Sequence, residues 1–368
     1  MSGISSSRTV YTHGCVQDGH EAATHDLLAR RLAGLLGFAF GGACENFEID
    51  ETAYLIPRTS LSGAETASRY RIGREGDLLG GWVPEAYMAT KAILHPLVSP
   101  RAAAPPGWPE RLTRAASDVT LPGFTAFSLD DARAAGEILR PHGPVRVKPV
   151  HGTGGHGQAV AATALELEDA LTHLAAQYPP GDGLVLEADL SQVITYSVGQ
   201  LRLPHLTVSY CGTQFLTTDN TGHAAYGGSE LTATVGGYEN LPAENLPAAM
   251  ARAVACAARF DGLADRHLSG LIASRRNYDV AAGRLAGAAP AMGVIDQSWR
   301  VGGATGAEIV AIEALSRNPD ARAVRARSTE VYGAGQIPPE GALVCYHGED
   351  PAVGPLLKYA FVEDVLAR

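Results

Sequence analysis

Lysine is scarce in this sequence. Lys91, Lys148 and Lys358 are the only lysines among its 29 basic residues, and all the others are arginine. The two side chains differ as phosphate contacts, because an ammonium is a compact charge on a flexible stem whereas a guanidinium is a planar fork. A chain that uses arginine almost everywhere is expected to keep lysine where arginine will not serve. The three lysines are therefore the first candidates for a functional role.

Basic runs and stripes are also absent, and the formal net charge is −10. Such a charge repels a phosphate backbone at long range, so we expect no nucleic-acid partner. A small nucleotide stays compatible with this charge, because a pocket can be locally positive. Apolar residues make up 46% and charged residues 18% of the 368, which is typical of a folded protein with two or three packed units.

Long hydrophobic runs are missing too. The longest apolar stretch near the start, 32–43, has only twelve residues, which is too short to cross a bilayer. The first residues lack the charged start and apolar run of a signal peptide. Five cysteines lie far apart without a CxxC pair, a pattern typical of reduced, mostly buried thiols. We therefore expect a cytoplasmic protein with no membrane partner.

Three catalytic motifs are not found in the sequence. There is no Walker A pattern (GxxxxGK[ST]), which excludes the P-loop class, and no GxSxG nucleophile elbow. The stretch His20-Glu-Ala-Ala-Thr24 misses the zinc motif HExxH, because threonine stands in the last ligand position.

The hydrophobic pattern alternates between strand and helix periods. A strand at 9–13, a helix at 20–36 and a strand at 54–57 predict a small α/β unit up to about residue 95. A stretch rich in proline and alanine, 99–109, is typical of a linker. Farther along, the pattern predicts strands at 145–150, 183–187, 193–237, 270–280 and 291–297, and helices at 165–177, 247–260 and 308–316.

A glycine loop follows the strand that carries Lys148. Its glycines, Gly152, Gly154, Gly155 and Gly157, fit GxGxxG, but a dinucleotide loop must open directly into a helix. Here the helix begins at a capping box, Thr163 to Glu166, and the residues in between allow a short strand. The order is thus strand, glycine loop, strand and helix, which suits a flap whose backbone amides close over phosphates. Protein kinases place their lysine after such a loop, whereas Lys148 precedes it.

Lys148-Pro149 followed by this loop resembles the signature of the ATP-grasp superfamily. The resemblance implies that ATP is bound, with Lys148 and the loop glycines on its phosphates. It also implies a first lysine upstream, on a helix before a proline-containing strand, and Lys91 before Leu121-Pro122 fits that place. The strand 184–190 is similar to the hinge that contacts adenine and ribose. Glu187 is the first candidate there and Asp189 the second; the acid often found slightly later is missing from 195–198.

A metal site is implied downstream. ATP-grasp enzymes bind Mg²⁺ through acids on two neighbouring antiparallel strands, and the second strand ends in an acid-x-Asn-x-Arg pattern. Asp296, Ser298 and Arg300 resemble this pattern, with serine in place of asparagine. A hairpin turning near Gly287 would bring Asp279 opposite Asp296. Asp279, Asp296 and Ser298 would then be the metal ligands, and Arg300 would meet the transferred phosphoryl group.

The resemblance implies an α/β (α+β) ATP-grasp fold with an N-terminal Rossmann-like pre-ATP-grasp domain. We expect that lead-in domain at 1–95, the subdomain with the glycine loop at 96–200, and the subdomain with the metal site at 201–368. The similarity extends to a bacterial family of unknown function in this superfamily. Whether the chain is a homodimer is left open.

The implied activity is an ATP- and Mg²⁺-dependent ligase. It would activate a small-molecule carboxylate as an acyl phosphate, which an amine or similar nucleophile would attack, with Lys148 and Arg300 as catalytic residues. Two alternatives stay open: an ATP-grasp kinase or phosphotransferase, and a catalytically inactive nucleotide-binding regulatory protein. Ser298 and the missing hinge acid favour the second alternative.

Overall fold

The computed structural model describes residues 8–14, 19–44, 49–152, 157–241 and 246–367. Its α-helices are α1 (His20–Leu36), α2 (Ala64–Arg69), α3 (Glu110–Ala115), α4 (Leu129–Leu139), α5 (Ala164–Gln177), α6 (Ala248–His267) and α7 (Thr305–Arg317). Its strands are β1 (Thr9–His13), β2 (Ala39–Ala43), β3 (Ala53–Pro57), β4 (Leu61–Ser62), β5 (Gly81–Val83), β6 (Gly123–Ala126), β7 (Val145–Pro149), β8 (Ala159–Ala161), β9 (Leu184–Ala188), β10 (Ser191–Leu203), β11 (Leu206–Thr218), β12 (Ala224–Val235), β13 (Ile272–Ala273), β14 (Arg275–Arg284), β15 (Pro290–Ser298), β16 (Ala321–Tyr332), β17 (Leu343–Asp350) and β18 (Gly354–Ala367).

The N-terminal unit is a small parallel sheet in the order β2-β1-β3. Helix α1 connects β1 to β2 and ends at Gly37, whose φ of 67° is the left-handed conformation that glycine adopts without strain. Leu28 and Leu32 bury one side of this helix in a core with Val10 and Tyr54. Strands and a helix thus alternate in this part of the chain, as the hydrophobic pattern predicted.

The strands on either side of the glycine loop, β7 and β8, belong to a four-stranded antiparallel sheet in the order β6-β9-β7-β8. Leu167, Leu171 and Leu174 of α5 share a core with Val145 and Val147 of β7. The predicted capping box is formed, because the Thr163 side chain accepts a hydrogen bond from the Glu166 backbone N–H while the Glu166 carboxylate accepts one from the Thr163 backbone N–H. The short strand β8 lies between loop and helix, as the spacing predicted.

Asp279 and Asp296 lie on β14 and β15 of an eight-stranded antiparallel sheet in the order β15-β14-β10-β11-β12-β16-β18-β17. The two faces of this sheet pack against different helices: Leu201 and Val208 share a core with α7, whereas Val198 and Tyr278 share one with α6. Helix α7 is buried from Thr305 to Leu315. It begins three residues earlier than the pattern predicted, because the glycines before it form the turn that enters the helix.

Two details bear on the expected layout. The boundary expected at residue 200 falls inside β10, which runs from Ser191 to Leu203 in the eight-stranded sheet. Lys91 was expected on a helix, and it begins a short 3₁₀ turn, Lys91–Leu94. None of the helices in the described part of the chain combines the length and apolarity that crossing a bilayer requires.

Candidate active site

Lys148 is the second-to-last residue of β7 and forms a buried ion pair. Its Nζ donates to Glu187 Oε1 over 2.7 Å and to the carbonyl oxygen of Ile295 over 2.9 Å. Glu187 comes from the neighbouring strand β9, and its second oxygen accepts a hydrogen bond from His95 Nε2 over 3.1 Å. All three side chains are almost completely buried. Lys148 is thereby fixed next to the strand that carries the acids.

The electrostatics of Glu187 follow from these contacts. Burial alone would raise the pKa of its carboxyl group, but the charge of Lys148 and the hydrogen bond from His95 outweigh burial and lower the pKa to about 2. Asp189, the second candidate on this strand, has a different partner, because its Oδ1 accepts hydrogen bonds from Arg146 Nε and Nη2 over 2.9 Å and 2.6 Å.

Lys91 contacts the start of the glycine loop and the residue of β15 next to the one that Lys148 contacts. Its Nζ donates to the carbonyl oxygen of Gly152, at the start of the glycine loop, over 2.5 Å, and lies 3.5 Å from Asp296 Oδ2. The turn is held by Gln297, whose Nε2 donates to the Thr90 carbonyl over 3.0 Å. The two ammonium groups therefore meet consecutive residues of β15: Lys148 contacts Ile295, and Lys91 contacts Asp296.

The two acids face each other across β14 and β15. Asp279 and Asp296 are direct partners in the register, and the hairpin turns through Gly287, which has a φ of 79°. Asp279 Oδ1 accepts hydrogen bonds from Gln214 over 2.7 Å and Asn277 over 3.0 Å. Burial, and then the charge of Asp296, raise the pKa of Asp279 to about 7, although those two hydrogen bonds act in the opposite direction.

Ser298 is the last residue of β15, and Arg300 follows two residues later. Ser298 is the register partner of Asn277, so an amide side chain lies across from the serine that replaced the expected asparagine. Arg300 donates to the carbonyl of Val301 over 3.0 Å, and it forms no ion pair with any residue that the structure describes. Burial and then the charge of Arg275 lower the pKa of Arg300.

Arg275 links the residues after β15 to helix α7. It binds both oxygens of Glu308, the first acid of α7, over 2.9 Å and 2.7 Å, and both side chains are almost inaccessible. The same guanidinium donates to the backbone oxygen of Arg300. The Thr305 hydroxyl accepts a hydrogen bond from the Gly302 backbone N–H over 3.0 Å at this turn.

The two ends of the glycine loop are defined. Gly152 donates its backbone N–H to the Pro149 carbonyl over 3.1 Å. Gly157 has a φ of +71°, a conformation that favours glycine, and a Cβ there would lie 2.9 Å from the Tyr178 hydroxyl. Gly154 and Gly155 lie outside the described residues.

The site unites residues that are far apart in the sequence. Lys91, Lys148, Gly152, Asp279 and Asp296 are linked through the contacts above, whereas Asp189 is held by Arg146 on its own sheet. His95, Gln214 and Asn277 also contact this site, and sequence reasoning did not select them. The signals were that His95 lies four residues after Lys91, that Asn277 lies two residues before Asp279, and that Gln214 lies in a run, 211–229, dense in hydrogen-bonding groups and glycine.

The donor set fits magnesium bound together with a nucleotide. Among the described residues, no cluster of three or more His, Cys, Asp or Glu side chains could hold a metal by itself. Asp279 and Asp296 offer two carboxylates, with the Gln214 and Asn277 amides and the Ser298 hydroxyl nearby. Mg²⁺ is usually held by one or two carboxylates together with phosphate oxygens and water, so such a pair meets its needs when phosphates supply the rest.

The fold is found in solved structures of several enzymes. Biotin carboxylase from Campylobacter jejuni is similar with a TM-score of 0.56 over 96% of this chain and 87% of its own. Carboxyaminoimidazole ribonucleotide synthase from Aspergillus clavatus, solved in complex with ATP, gives 0.52 over 97% and 94%. Phosphoribosylamine–glycine ligase from Thermotoga maritima gives 0.52 over 97% and 93%. Sequence identity is 12% in all three cases.

These likenesses define the class of protein: the chain has the ATP-grasp fold, as its lysine and glycine loop predicted. Within that class it belongs to the family described as "Protein of unknown function (DUF3182)", whose model matches residues 10–360. A search of the curated proteins finds no match.

Proposed function

We propose that this protein is an ATP- and Mg²⁺-dependent ligase that activates a carboxylate as an acyl phosphate for attack by an amine or similar nucleophile. One observation carries the proposal. Two of only three lysines extend from separate elements to consecutive residues of β15, beside a pair of facing carboxylates. Ammonium groups and a carboxylate pair together suit a triphosphate with its metal.

In this proposal each residue neutralises or positions charge. Lys148 and Lys91 bind phosphate oxygens, and the glycine loop covers the phosphates with its backbone amides. Asp279 and Asp296, with Ser298, would hold Mg²⁺, which would supply charge neutralisation at the phosphates. Arg300, which forms no ion pair with a described residue, meets the transferred group. Glu187 and Asp189 are the proposed hinge acids, although the contacts of Glu187 also suit a role in holding Lys148.

The proposed reaction has two balanced steps. A carboxylate oxygen of the substrate attacks the γ-phosphorus of ATP, and the bond to the β–γ bridging oxygen breaks to release ADP. The amine then attacks the acyl carbon, phosphate leaves with the bonding electron pair, and the amine loses a proton. No side chain forms a covalent bond in either step, so positioning and electrostatic stabilisation supply the rate enhancement.

A matrix of small carboxylic acids and amines, each with MgATP, tests the proposal. We expect ADP and free phosphate in equal amounts, only when a matching acid and amine are both present. Asp296→Asn should abolish the release, and the exposed Asp130→Asn should leave it unchanged. A stable phosphorylated product formed without an amine would instead support a kinase. Micromolar ATP binding without Mg²⁺ dependence or turnover would support a regulatory protein.

A further inference from the structure

We propose that His95 is a positioning residue that acts through Glu187 to hold the Lys148 ammonium in place for the nucleotide. The inference rests on the proposed function, because it assigns Lys148 to phosphate binding. It adds a residue outside the lysine, glycine-loop and metal-site pattern described above. His95 is completely buried, so it acts on Lys148 through the carboxylate between them.

Both carboxylate oxygens of Glu187 accept a hydrogen bond. Oε1 accepts from Lys148 over 2.7 Å, and Oε2 accepts from His95 over 3.1 Å. A carboxylate held on both oxygens cannot turn about its last torsion without breaking a buried hydrogen bond, which is costly. The ammonium therefore has a fixed acceptor on one side and the Ile295 carbonyl on the other.

The same contacts set the tautomer of His95. An ionised carboxylate only accepts hydrogen bonds, so Nε2 must carry the proton. Nδ1 is buried and has no partner among the described residues. A proton there would be an orphaned buried donor beside a Lys148–Glu187 pair that is already balanced in charge. His95 thus gives one hydrogen bond, from Nε2 to Glu187.

The His95 ring packs against β6 at Gly123. A Cβ at Gly123 of β6 would lie 2.8 Å from both Cε1 and Nδ1 of His95, so the strand can only pass the ring at a glycine. On the other side, Thr125 Oγ1 donates to the carbonyl of Ala92 over 2.7 Å and fixes the turn that begins with Lys91. The segment 91–95 thereby sets both ammonium groups: Lys91 directly, and Lys148 through His95 and Glu187.

Two substitutions that differ by one methylene test this role. His95→Gln can place its amide donor near the position of Nε2, whereas the shorter His95→Asn cannot reach Glu187. We expect His95→Asn to weaken MgATP binding about tenfold, the size of one lost hydrogen bond to a charged group, and His95→Gln to retain most of the affinity. Isothermal titration calorimetry with MgATP measures both, and His173→Asn on the exposed surface of α5 is the control.

A double-mutant cycle separates positioning from general structural damage. If His95 acts through Lys148, then His95→Asn should have almost no further effect on MgATP affinity in a Lys148→Ala background. Equal losses in both backgrounds, or equal affinities of wild type and His95→Asn, would overturn the inference and leave the proposed function standing. A wild-type protein that does not bind MgATP would overturn both. Thermal unfolding of each variant checks that it is folded, and the Gln-to-Asn comparison remains decisive where Asn lowers the stability.

Discussion

Asp279 is the residue of the site whose surroundings most oppose the charged form of its carboxyl group. It faces Asp296 across one strand pair, is partly buried, and has its pKa raised to about 7. An acid whose pKa is higher in the folded than in the unfolded state binds its proton more tightly when folded. Its contribution to stability is therefore lost as pH rises from its ordinary value of 3.8 towards 7.

We predict that Asp279→Asn removes this loss. Urea unfolding in EDTA should show the wild-type free energy of unfolding falling between about pH 4 and pH 7, and a flatter profile for the variant. Mg²⁺ has to displace the same proton, so the wild-type affinity for Mg²⁺ in the presence of ATP should rise through pH 7. An identical pH profile for wild type and variant would contradict the assignment.

Glu187 shows the opposite behaviour, because its partners lower its pKa to about 2. Its stabilising effect is present above its ordinary value of 4.5 and is lost as pH falls towards 2. Glu187→Gln leaves the Lys148 ammonium buried without a counter-charge, which should lower the free energy of unfolding at pH 7 by roughly 3–5 kcal/mol.

Urea unfolding at pH 7 measures this change. The matched control is Glu168→Gln, which removes an exposed partner of Arg133 and should cost less than about 1 kcal/mol. Equal effects of the two substitutions would show that the buried pair contributes nothing beyond an ordinary surface pair.

Among the structural elements, the hairpin β14–β15 was the most predictable part of the site. A glycine turn near 287 and a two-residue side-chain period are enough to place Asp279 opposite Asp296, and the register has this pairing. The contact between His95 and Glu187 was not predictable, because it joins a turn to a strand 92 positions away through tertiary packing. Gln214 was missed because only the strand order β14-β10-β11 brings it next to Asp279.

The buried pair of Arg275 and Glu308 joins β14 to α7 at the end of this hairpin. We predict that Glu308→Gln lowers the free energy of unfolding by roughly 3–5 kcal/mol, because it leaves a buried guanidinium unpaired. The double substitution Arg275→Met with Glu308→Leu should recover much of that loss, since apolar replacements of a buried pair are often nearly neutral.

Turnover of the double variant should show whether Arg275 matters for activity as well as for stability. Arg275 also donates to the Arg300 backbone, so the double variant should stay inactive in the phosphate-release assay despite its recovered stability. A double variant with full activity would show that Arg275 is only structural.

For the whole molecule, an ion-pair network joins the N-terminal unit to the large sheet. Glu75, in a turn after α2, accepts from Arg202 of β10 over 2.9 Å and from Arg276 of β14 over 3.1 Å, and both arginines also bind Asp261 of α6. The network was not predictable from sequence, because charged residues at these separations carry no periodic signal.

We predict that Glu75→Gln loosens the N-terminal unit without unfolding the rest. Hydrogen exchange should speed up in β1 and β3, while α6 should stay protected because Asp261 still pairs with both arginines. Uniform faster exchange throughout the chain would contradict this, and Glu51→Gln, at an exposed pair with Arg71, is the control.

The near absence of lysine has a consequence for the proposed acyl-phosphate chemistry. Acyl phosphates react readily with free amines, so an enzyme that makes one risks acylating its own surface. Lys91 and Lys148 are only 4% and 3% exposed, and the Lys358 side chain is 15% exposed and paired with Glu330. Guanidinium groups stay protonated at neutral pH and are poor nucleophiles. If the proposed acyl phosphate forms, a surface with so few lysines thus offers it few amines that could attack it before the intended acceptor arrives.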